Sequence, residues 1–470
     1  MSVDTREATD NLSWFVHDRF GMYIHWGPYA VLGRGETSLF REHLDQREYA
    51  EKACRWNPQS FDAASWAVVA KRAGMRYAVF TTRHCDGYCM WDSEFTDYSS
   101  GRQAPQRDFV REYVEAFRAA GLRVGFYYSL ADWRIPAYWE GPSHDPQGWE
   151  TFRHYVHNQV RELLTHYGRI DVMWFDAAWP HDQAAWKSAE LVETARSLQP
   201  HILINNRLGA EPPGAQSSEP LPQYDEQGRQ RLSAEPTDDP NPGGWSLKLG
   251  DFGTPEHHAA PDANRPWESC QVSTWRLWGY TIGERWRPAD LLLDTLVDTA
   301  SKGGNLLLNV GPDPDGQMPP EFIERAEAIG QWMDVHGEAI YGSEEGGVCD
   351  FTTYGRQTRK GNNLYLIIRF WDGREALTLA GLETPVKRVV LLTTGQELSF
   401  RQTTDHLTMR GLPHEPPTDL FPVIKVECDG PPRPRGWAAD RICHGDPRRM
   451  TAWAAARGTS VFADGKPRQV

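Results

Sequence analysis

The stretch Asp171-Val172-Met173-Trp174-Phe175-Asp176-Ala177-Ala178-Trp179 guides the interpretation of the rest of the chain. Its centre is apolar on both faces, which predicts a buried parallel strand covered by helices. Side chains alternate along a strand, so Trp174 and Asp176 share a face. Barrel enzymes hold their catalytic groups at the carboxyl ends of such strands. A helix-capping or surface aspartate would give the same local pattern, so this stretch alone leaves the role of Asp176 open.

The flanking sequence repeats a strand-and-helix rhythm with short links. Strands are predicted at residues 22–27, 77–82, 124–129, 202–207 and 304–312, and helices at 62–73, 108–120, 150–167, 187–198, 288–301 and 320–337. This alternation is typical of βα units around a parallel sheet.

Two regions depart from that rhythm. Residues 210–249 are rich in Pro, Gly, Ser, Glu and Asp, which predicts an inserted loop within a catalytic domain of residues 1–342. Short β-type runs at 363–370, 376–379, 386–392 and 421–426 predict a small antiparallel sandwich over residues 343–430. Residues 431–470, rich in Arg and Pro, are expected to be a poorly ordered tail.

The bulk composition narrows the class of protein. A net charge of −14 argues against nucleic-acid binding. The 20 Trp, 17 Tyr and 18 Phe are numerous enough to line a sugar cleft, although core packing also explains them. The seven scattered cysteines show no zinc or redox spacing. Residues 1–11 have no apolar segment and no stretch is long enough to span a membrane, so a cytoplasmic protein is expected.

Polar groups recur where consecutive predicted strands end, and a barrel gathers those ends at one mouth. They are His25, His84, Asp86, Tyr127, Ser129, Asp176, Asn206 and Arg207. Any one of them could be a cap or a satisfied core group, but five such strand ends in succession predict a functional cleft.

The residue types in this cleft restrict its chemistry. His25, His84 and Asp86 could imitate a metal site, but no His-x-His pair follows the first strand, so no metal or other cofactor is expected. The Gly-x-Ser-x-Gly turn of serine hydrolases and a phosphate-binding glycine loop are also missing. Two carboxylates in an aromatic cleft remain, and these are what glycoside hydrolysis requires.

At this point the motifs are similar to those of the α-L-fucosidases of glycoside hydrolase family 29. The matching pieces are FGMYIHWG at 20–27, RHCDG at 83–87, YYS at 127–129 with Asp132-Trp133, WFD at 174–176, Asn206-Arg207, GDF at 250–252 with TPE at 254–256, Trp267-Glu268 with WGY at 278–280, and SKGGNLLLNVGP at 301–312. They run in family order from about residue 14 to residue 342. The resemblance implies a (β/α)8-like barrel followed by a C-terminal β-sandwich, a retaining mechanism without a metal, and a fucosylated oligosaccharide or glycoconjugate as substrate.

The resemblance also implies roles for single residues. Asp176 matches the nucleophile, Trp174 a ring on the apolar side of the sugar, and Arg207 an arginine near the reacting groups. His25, Glu36, His84 and Tyr127 match positions that bind sugar hydroxyls. The acid/base comes from a variable loop in this family. Glu256 is the first choice, because a loop carboxyl partly screened from water is expected to keep its proton near neutral pH, and Glu268 is the second choice.

Two departures from the family pattern keep alternatives open. Cys85 stands where a second histidine is usual, and Thr37 follows Glu36 where a tryptophan is usual. Two alternatives to an α-L-fucosidase therefore stay open: a glycosidase of the same mechanism that acts on a related galactose-configured glycoside, and a non-catalytic carbohydrate-binding relative. The insertion at 210–249 is expected to border the cleft. Cys85 is expected to line the cleft wall without a disulfide, with a pKa lowered by its neighbours Arg83 and His84. The sequence is compatible with a homo-oligomer and leaves the oligomeric state open.

Overall fold

The computed structural model describes residues 5–210, 248–257, 265–348, 353–404 and 406–435. The predicted insertion and the predicted tail therefore lie almost entirely outside the described residues. The described chain divides into two compact units. Unit 1 comprises the described residues up to 292 and residues 304–331, and unit 2 comprises residues 293–303 and the described residues from 332 onward. The domain boundary predicted at residue 342 stays a prediction.

Unit 1 is built on a parallel sheet. Its strands are β1 (Phe20–Ile24), β2 (Tyr77–Arg83), β3 (Arg123–Ser129), β4 (Val172–Asp176), β5 (Leu203–Ile204), β6 (Glu268–Val272) and β7 (Asn305–Val310). They pair in the order β5-β4-β3-β2-β1-β7-β6, and every pair is parallel. The strands are buried on both faces, as the apolar run around Trp174 predicted.

The eighth position of the barrel is occupied by an irregular segment, residues 251–256. Phe252 bridges Asn205 beyond β5, while Gly253 and Glu256 bridge Trp267 and Cys270 on the side of β6. These parallel bridges link the two edge strands, so the sheet closes into a (β/α)8-like ring. The strand predicted at 202–207 is shorter than expected, because β5 ends at Ile204.

Helices alternate with these strands along the chain. They are α1 (Thr5–Asp18), α2 (Ser38–Arg41), α3 (Gln46–Arg55), α4 (Ala63–Arg72), α5 (Phe109–Ala119), α6 (Pro136–His144), α7 (Pro146–His166), α8 (Gln183–Trp186), α9 (Ser188–Leu198), α10 (Ala289–Ser301) and α11 (Pro320–His336). Five of them start at an aspartate whose carboxylate accepts a backbone N–H of the first turn, which explains why they begin there. These caps are Asp45, Asp62, Asp108, Asp145 and Asp182.

Helix α1 was not predicted from the sequence, and it packs against the amino-terminal end of the barrel. The rings of Trp14 and Tyr77 lie 5.8 Å apart, and those of Phe15 and Phe252 lie 4.7 Å apart. Asn305 Nδ2 at the start of β7 donates to Phe15 O at 2.7 Å. This end of the ring is therefore filled with side chains, which leaves the carboxyl ends of the strands as the open face.

Unit 2 contains the predicted antiparallel sandwich. Its strands are β8 (Glu344–Glu345), β9 (Gly355–Lys360), β10 (Asn363–Ile368), β11 (Ala376–Ala380), β12 (Val386–Leu391), β13 (Gln396–Glu397), β14 (Ser399–Gln402), β15 (His406–Arg410) and β16 (Val423–Cys428). They form sheets of the order β13-β12-β16-β10-β9-β8 and β11-β15-β14. Alternate residues of both sheets, such as Leu366, Leu379 and Met409, meet in one apolar core.

Candidate active site

Asp176 is the last residue of β4 and lies at the open face of the barrel. Tyr127 of β3 donates its hydroxyl to Asp176 Oδ2 at 3.0 Å. Arg207 Nη1 donates to Asp176 Oδ1 at 3.1 Å. Burial, followed by the charge of Asp176, raises the pKa of Tyr127 well above its ordinary value, so this phenol keeps its proton and remains a donor. Both oxygens of Asp176 are thus held in place by donors on neighbouring strand ends.

Arg207 brings the second predicted carboxylate into the same site. Its Nη2 lies 3.0 Å from Glu256 Oε2, while its Nε and Nη2 donate to Thr254 Oγ1 and O, both at 3.0 Å. The guanidinium carbon lies 4.7 Å from the centre of the Trp174 ring. One buried guanidinium therefore contacts Asp176 and Glu256 together, with two of its donors fixed by the segment that closes the barrel.

The protonation expected for Glu256 is wrong for this arrangement. Burial acts to raise the pKa of Glu256, but Arg207 and His257 outweigh it and lower the pKa to about 2. His257 Nε2 lies 3.4 Å from Glu256 Oε1, and the His257 ring stacks on Trp278 at 5.1 Å. His258, the other histidine of this loop, lies outside the described residues.

Glu268, the second choice for the acid, lies at the opposite end of the barrel. It is the first residue of β6, where it is 1% exposed. It accepts from the Tyr77 hydroxyl and from Trp174 Nε1, the latter at 3.1 Å. Burial raises the pKa of Glu268 to about 7. In this position Glu268 orients the Trp174 ring from the amino-terminal side of the sheet, away from the open face where Asp176 lies.

The residues predicted to bind sugar hydroxyls form one connected group. The His25 and His84 rings lie 5.7 Å apart, and Tyr127 stacks between His84 and Trp174 at 5.5 and 5.8 Å. Glu36 is buried nearby and its Oε2 accepts the N–H groups of Trp278 at 3.1 Å and Gly279 at 2.7 Å. The structure therefore brings together His25, Glu36, His84, Tyr127 and Trp174, although Trp174 is itself 1% exposed beneath Arg207 and Tyr127.

Asn309 is a site residue that the sequence analysis did not single out. Its Nδ2 donates to Trp278 O at 2.7 Å, so its Oδ1 faces His25 Nδ1 at 2.6 Å and accepts from it. This assigns the proton of His25 to Nδ1 and leaves Nε2 as an acceptor. Asn309 is the penultimate residue of β7, so the strand-end rule that selected His25 and Asp176 would also have found it.

Cys85 lies behind this group. Its Sγ is 3.2 Å from Ser129 Oγ, and the thiol is buried and free of a disulfide. The prediction of a lowered pKa is wrong, because burial raises the pKa of the Cys85 thiol strongly. The neighbouring Arg83 is engaged elsewhere, with Nη1 on Gln159 and Nη2 on the carbonyl of Ser129, both at 2.7 Å.

Among the described residues, no group of three or more His, Cys, Asp or Glu side chains is arranged to hold a metal ion. None of the described helices is long and apolar enough to cross a membrane.

Comparison with known proteins identifies the family. Residues 1–338 match the α-L-fucosidase family model. The tissue α-L-fucosidase of Bos taurus is 29% identical over 429 residues, which are 85% of this chain and 83% of the relative. The human tissue enzyme is 28% identical over 448 residues, covering 89% and 88% of the two chains.

Solved structures agree with this match. α-L-Fucosidase isoenzyme 1 from Paenibacillus thiaminolyticus is 35% identical with a TM-score of 0.77, and the match covers 90% of this chain and 100% of that one. A family 29 α-L-fucosidase from Bacteroides thetaiotaomicron, solved as a trapped covalent intermediate, is 28% identical with a TM-score of 0.76, covering 89% and 96%. With its barrel and its paired carboxylates, this chain belongs to the α-L-fucosidase family.

Proposed function

We propose that this enzyme removes terminal α-L-fucosyl groups from oligosaccharides or glycoconjugates by double displacement, with Asp176 as nucleophile and Glu256 as acid/base. The observation that carries the assignment is the contact of one guanidinium, that of Arg207, with both carboxylates. Retaining and inverting glycosidases alike use two carboxyl groups at the scissile bond. The covalent intermediate trapped in the Bacteroides thetaiotaomicron relative supports the retaining course.

In the first step, a carboxylate oxygen of Asp176 attacks the anomeric carbon of fucose. The bond between that carbon and the leaving-group oxygen breaks, and Glu256 gives its proton to this oxygen. In the second step, Glu256 takes a proton from water as the water oxygen attacks the same carbon, and the ester bond to Asp176 breaks. Tyr127 and Arg207 hold the Asp176 carboxylate throughout, which fixes the position of the nucleophile.

Glu256 must gain a proton before the first step. In the structure its pKa is about 2 because Arg207 and His257 stabilise the carboxylate. The Glu256 side chain is 38% exposed, so an entering leaving group has access to it. We infer that the bound substrate excludes water from Glu256 and weakens its contact with Arg207, and both changes raise its pKa.

The buried histidines are suited to sugar hydroxyls. Burial lowers the pKa of His84 to about 4 and also lowers that of His25, so both rings are neutral near pH 7. A neutral imidazole offers one donor and one acceptor, which matches a hydroxyl group. Glu36 adds an acceptor on the same wall, next to the Trp278 backbone.

The test is a kinetic comparison of three carboxylate variants on an aryl α-L-fucoside and on α-L-fucosyl fluoride. Asp176→Ala is expected to remove turnover of both substrates, because no covalent intermediate can form. Glu256→Ala is expected to lose roughly 10²–10⁴-fold in kcat/KM on substrates with poor leaving groups and to retain kcat/KM for fucosyl fluoride, which needs no proton. The second step loses its base with every substrate, so kcat falls and azide, which needs no base, restores turnover.

Glu268→Gln is the matched control, since it removes a carboxylate that lies below Trp174. It is expected to retain most of the activity. Azide rescue of a Glu268 variant, without rescue of Glu256→Ala, would make Glu268 the acid/base. Preferential hydrolysis of an aryl galactoside over the matching fucoside would contradict the proposed sugar. In a fucose-bound crystal structure the carboxyl groups of Asp176 and Glu256 should lie about 5–5.5 Å apart.

A further inference from the structure

Two aromatic rings at the open face of the barrel are only half-buried although they stack on each other. The Phe40 and Trp139 rings lie 5.7 Å apart with an interplanar angle of 11°. Phe40 is 48% exposed and Trp139 46%. We call this pair the aromatic platform. The two stacked rings present a flat apolar surface at the open face.

The aromatic platform is held rigidly from beneath. The buried Trp133 ring lies 5.3 Å from Phe40, and Trp133 O accepts Trp139 Nε1 and Gln46 Nε2, both at 2.9 Å. The backbone N–H of Trp133 donates in turn to the backbone carbonyl of Cys85 at 2.8 Å. The rings therefore keep their orientation without a ligand, which reduces the entropy cost of stacking on them.

The aromatic platform belongs to the loops that also supply the candidate active site. Phe40 follows Glu36 by four residues, in the short helix α2 after β1, and Trp139 lies in α6 after β3. The anchor of the platform, Cys85 O, belongs to the residue next to His84. The platform is thus continuous with the wall that carries the proposed sugar-binding groups.

We propose that the aromatic platform binds the face of a sugar ring in the leaving group of the substrate. This inference rests on the proposed function. The groups proposed to bind fucose are buried, so one terminal sugar fills their pocket and the next rings along the rim belong to the leaving group. The C–H face of a pyranose is apolar and packs well on flat aromatic rings. Two half-exposed rings are far smaller than the roughly 800 Å² per partner of a stable protein interface.

The inference is tested with two substrates that differ in the leaving group. α-L-Fucosyl fluoride carries no leaving-group sugar, whereas fucosylated trisaccharides with α1,2, α1,3 or α1,6 linkages do. Trp139→Ala and Phe40→Ala are expected to lower kcat/KM about threefold to tenfold on at least one trisaccharide, the range of an aromatic contact, and to leave fucosyl fluoride unchanged. Trp139→Phe keeps a ring and should restore most of the loss.

Phe370→Ala is the control, because Phe370 is an exposed aromatic residue of unit 2. It should affect neither substrate. Equal losses on fucosyl fluoride and the trisaccharides, or no loss on any trisaccharide, would overturn the inference. A lower oligomeric mass of Trp139→Ala in sedimentation would also overturn it, since the platform would then join copies of the chain. Failure of the unmodified enzyme to cleave fucosyl fluoride would instead reject the proposed function.

Discussion

Arg207 is the residue that sets the charges of the candidate site. Burial acts to lower the pKa of Arg207, but Asp176 and Glu256 raise it strongly, so the guanidinium stays charged between two carboxylates. Its Nε is fixed by Thr254 Oγ1, which donates to Asn206 Oδ1 at 2.9 Å. Because Arg207 cannot move freely, its contact with Glu256 changes only if the loop around Glu256 shifts.

Glu268→Gln should change how stability depends on pH. The pKa of Glu268 is about 7 in the folded chain, against an ordinary value of 4.5. A raised pKa makes its contribution to stability complete below about pH 4.5 and lost progressively as pH rises to about 7. The loss amounts to about 3 kcal/mol. Chemical unfolding at pH 4.5 and pH 8 should show this fall for the unmodified protein and not for Glu268→Gln.

The variant retains hydrogen-bonding groups for both neighbours, Tyr77 and Trp174, so it is expected to fold. Identical pH dependence of the two proteins would show that Glu268 titrates normally.

Among the structural elements, the irregular segment that closes the barrel matters most for the candidate site. Residues 251–256 pair on both sides through single bridges and so hold Glu256 at the rim on a short, non-strand segment. Asp251 N donates to Ile204 O, and Glu268 N donates to Gly253 O at 2.9 Å. This segment also supplies Thr254 to Arg207, which couples closure of the ring to the geometry of the site.

Gly250→Ala tests this coupling. Gly250 has a φ of +89°, and a Cβ there would lie 2.4 Å from the Asn205 carbonyl oxygen. The variant is expected to lower the free energy of unfolding by about 2–4 kcal/mol, through backbone strain plus the clash with Asn205 just beyond β5. Urea unfolding measures the loss of stability, and kcat/KM of the same variant measures whether the geometry of the site changes with it.

Gly283→Ala is the matched control. Its φ is +67°, but no atom lies within 4 Å of the added Cβ, so only the strain of about 1 kcal/mol should appear. Equal destabilisation by the two substitutions would mean that the close approach to Asn205 contributes nothing.

In the division of the chain into two units, the carboxyl-terminal part of α10 belongs with the sandwich. Asp298 in this part pairs with Arg356 of β9 at 2.6 Å, and Asp294 pairs with Arg369. A chain that ended at the predicted boundary, residue 342, would lose both arginines and leave two partly buried carboxylates without these partners.

A double-mutant cycle of Asp298→Asn and Arg356→Gln should measure this connection. The pair is about three-quarters buried, so a coupling of about 0.5–1 kcal/mol is expected in urea unfolding of the full chain. The exposed pair Asp372 and Arg374, 3.3 Å apart, is the control and should show a coupling near zero. A coupling near zero for Asp298 and Arg356 as well would argue against a structural role for this ion pair.

The cytoplasmic location expected from the sequence stays an untested prediction, and the oligomeric state stays open. Both concern the chain as a whole, and neither follows from the described residues.

The class of fold and most of the candidate site could be predicted from the sequence alone. Apolar runs that end in polar residues predict parallel strands, and parallel strands place their carboxyl ends together. The sequence alone therefore predicts that one site contains His25, His84, Tyr127, Asp176 and Arg207. Helix α1 and strand β6 were missed. The packing of Trp14 and Phe15 into the barrel end depends on residues distant in sequence, and β6 carries polar residues that are buried only in the closed ring.

The protonation of the ionisable groups, in contrast, follows from the folded structure and could not be predicted from the sequence. The pKa of a carboxyl or thiol depends on its burial and on charges brought near it by distant parts of the chain. Local sequence predicted a protonated Glu256 and an acidic Cys85, whereas Arg207 makes the first a carboxylate and burial makes the second a thiol. The same reason separates the two glutamates, because sequence spacing does not tell which end of the barrel each one faces.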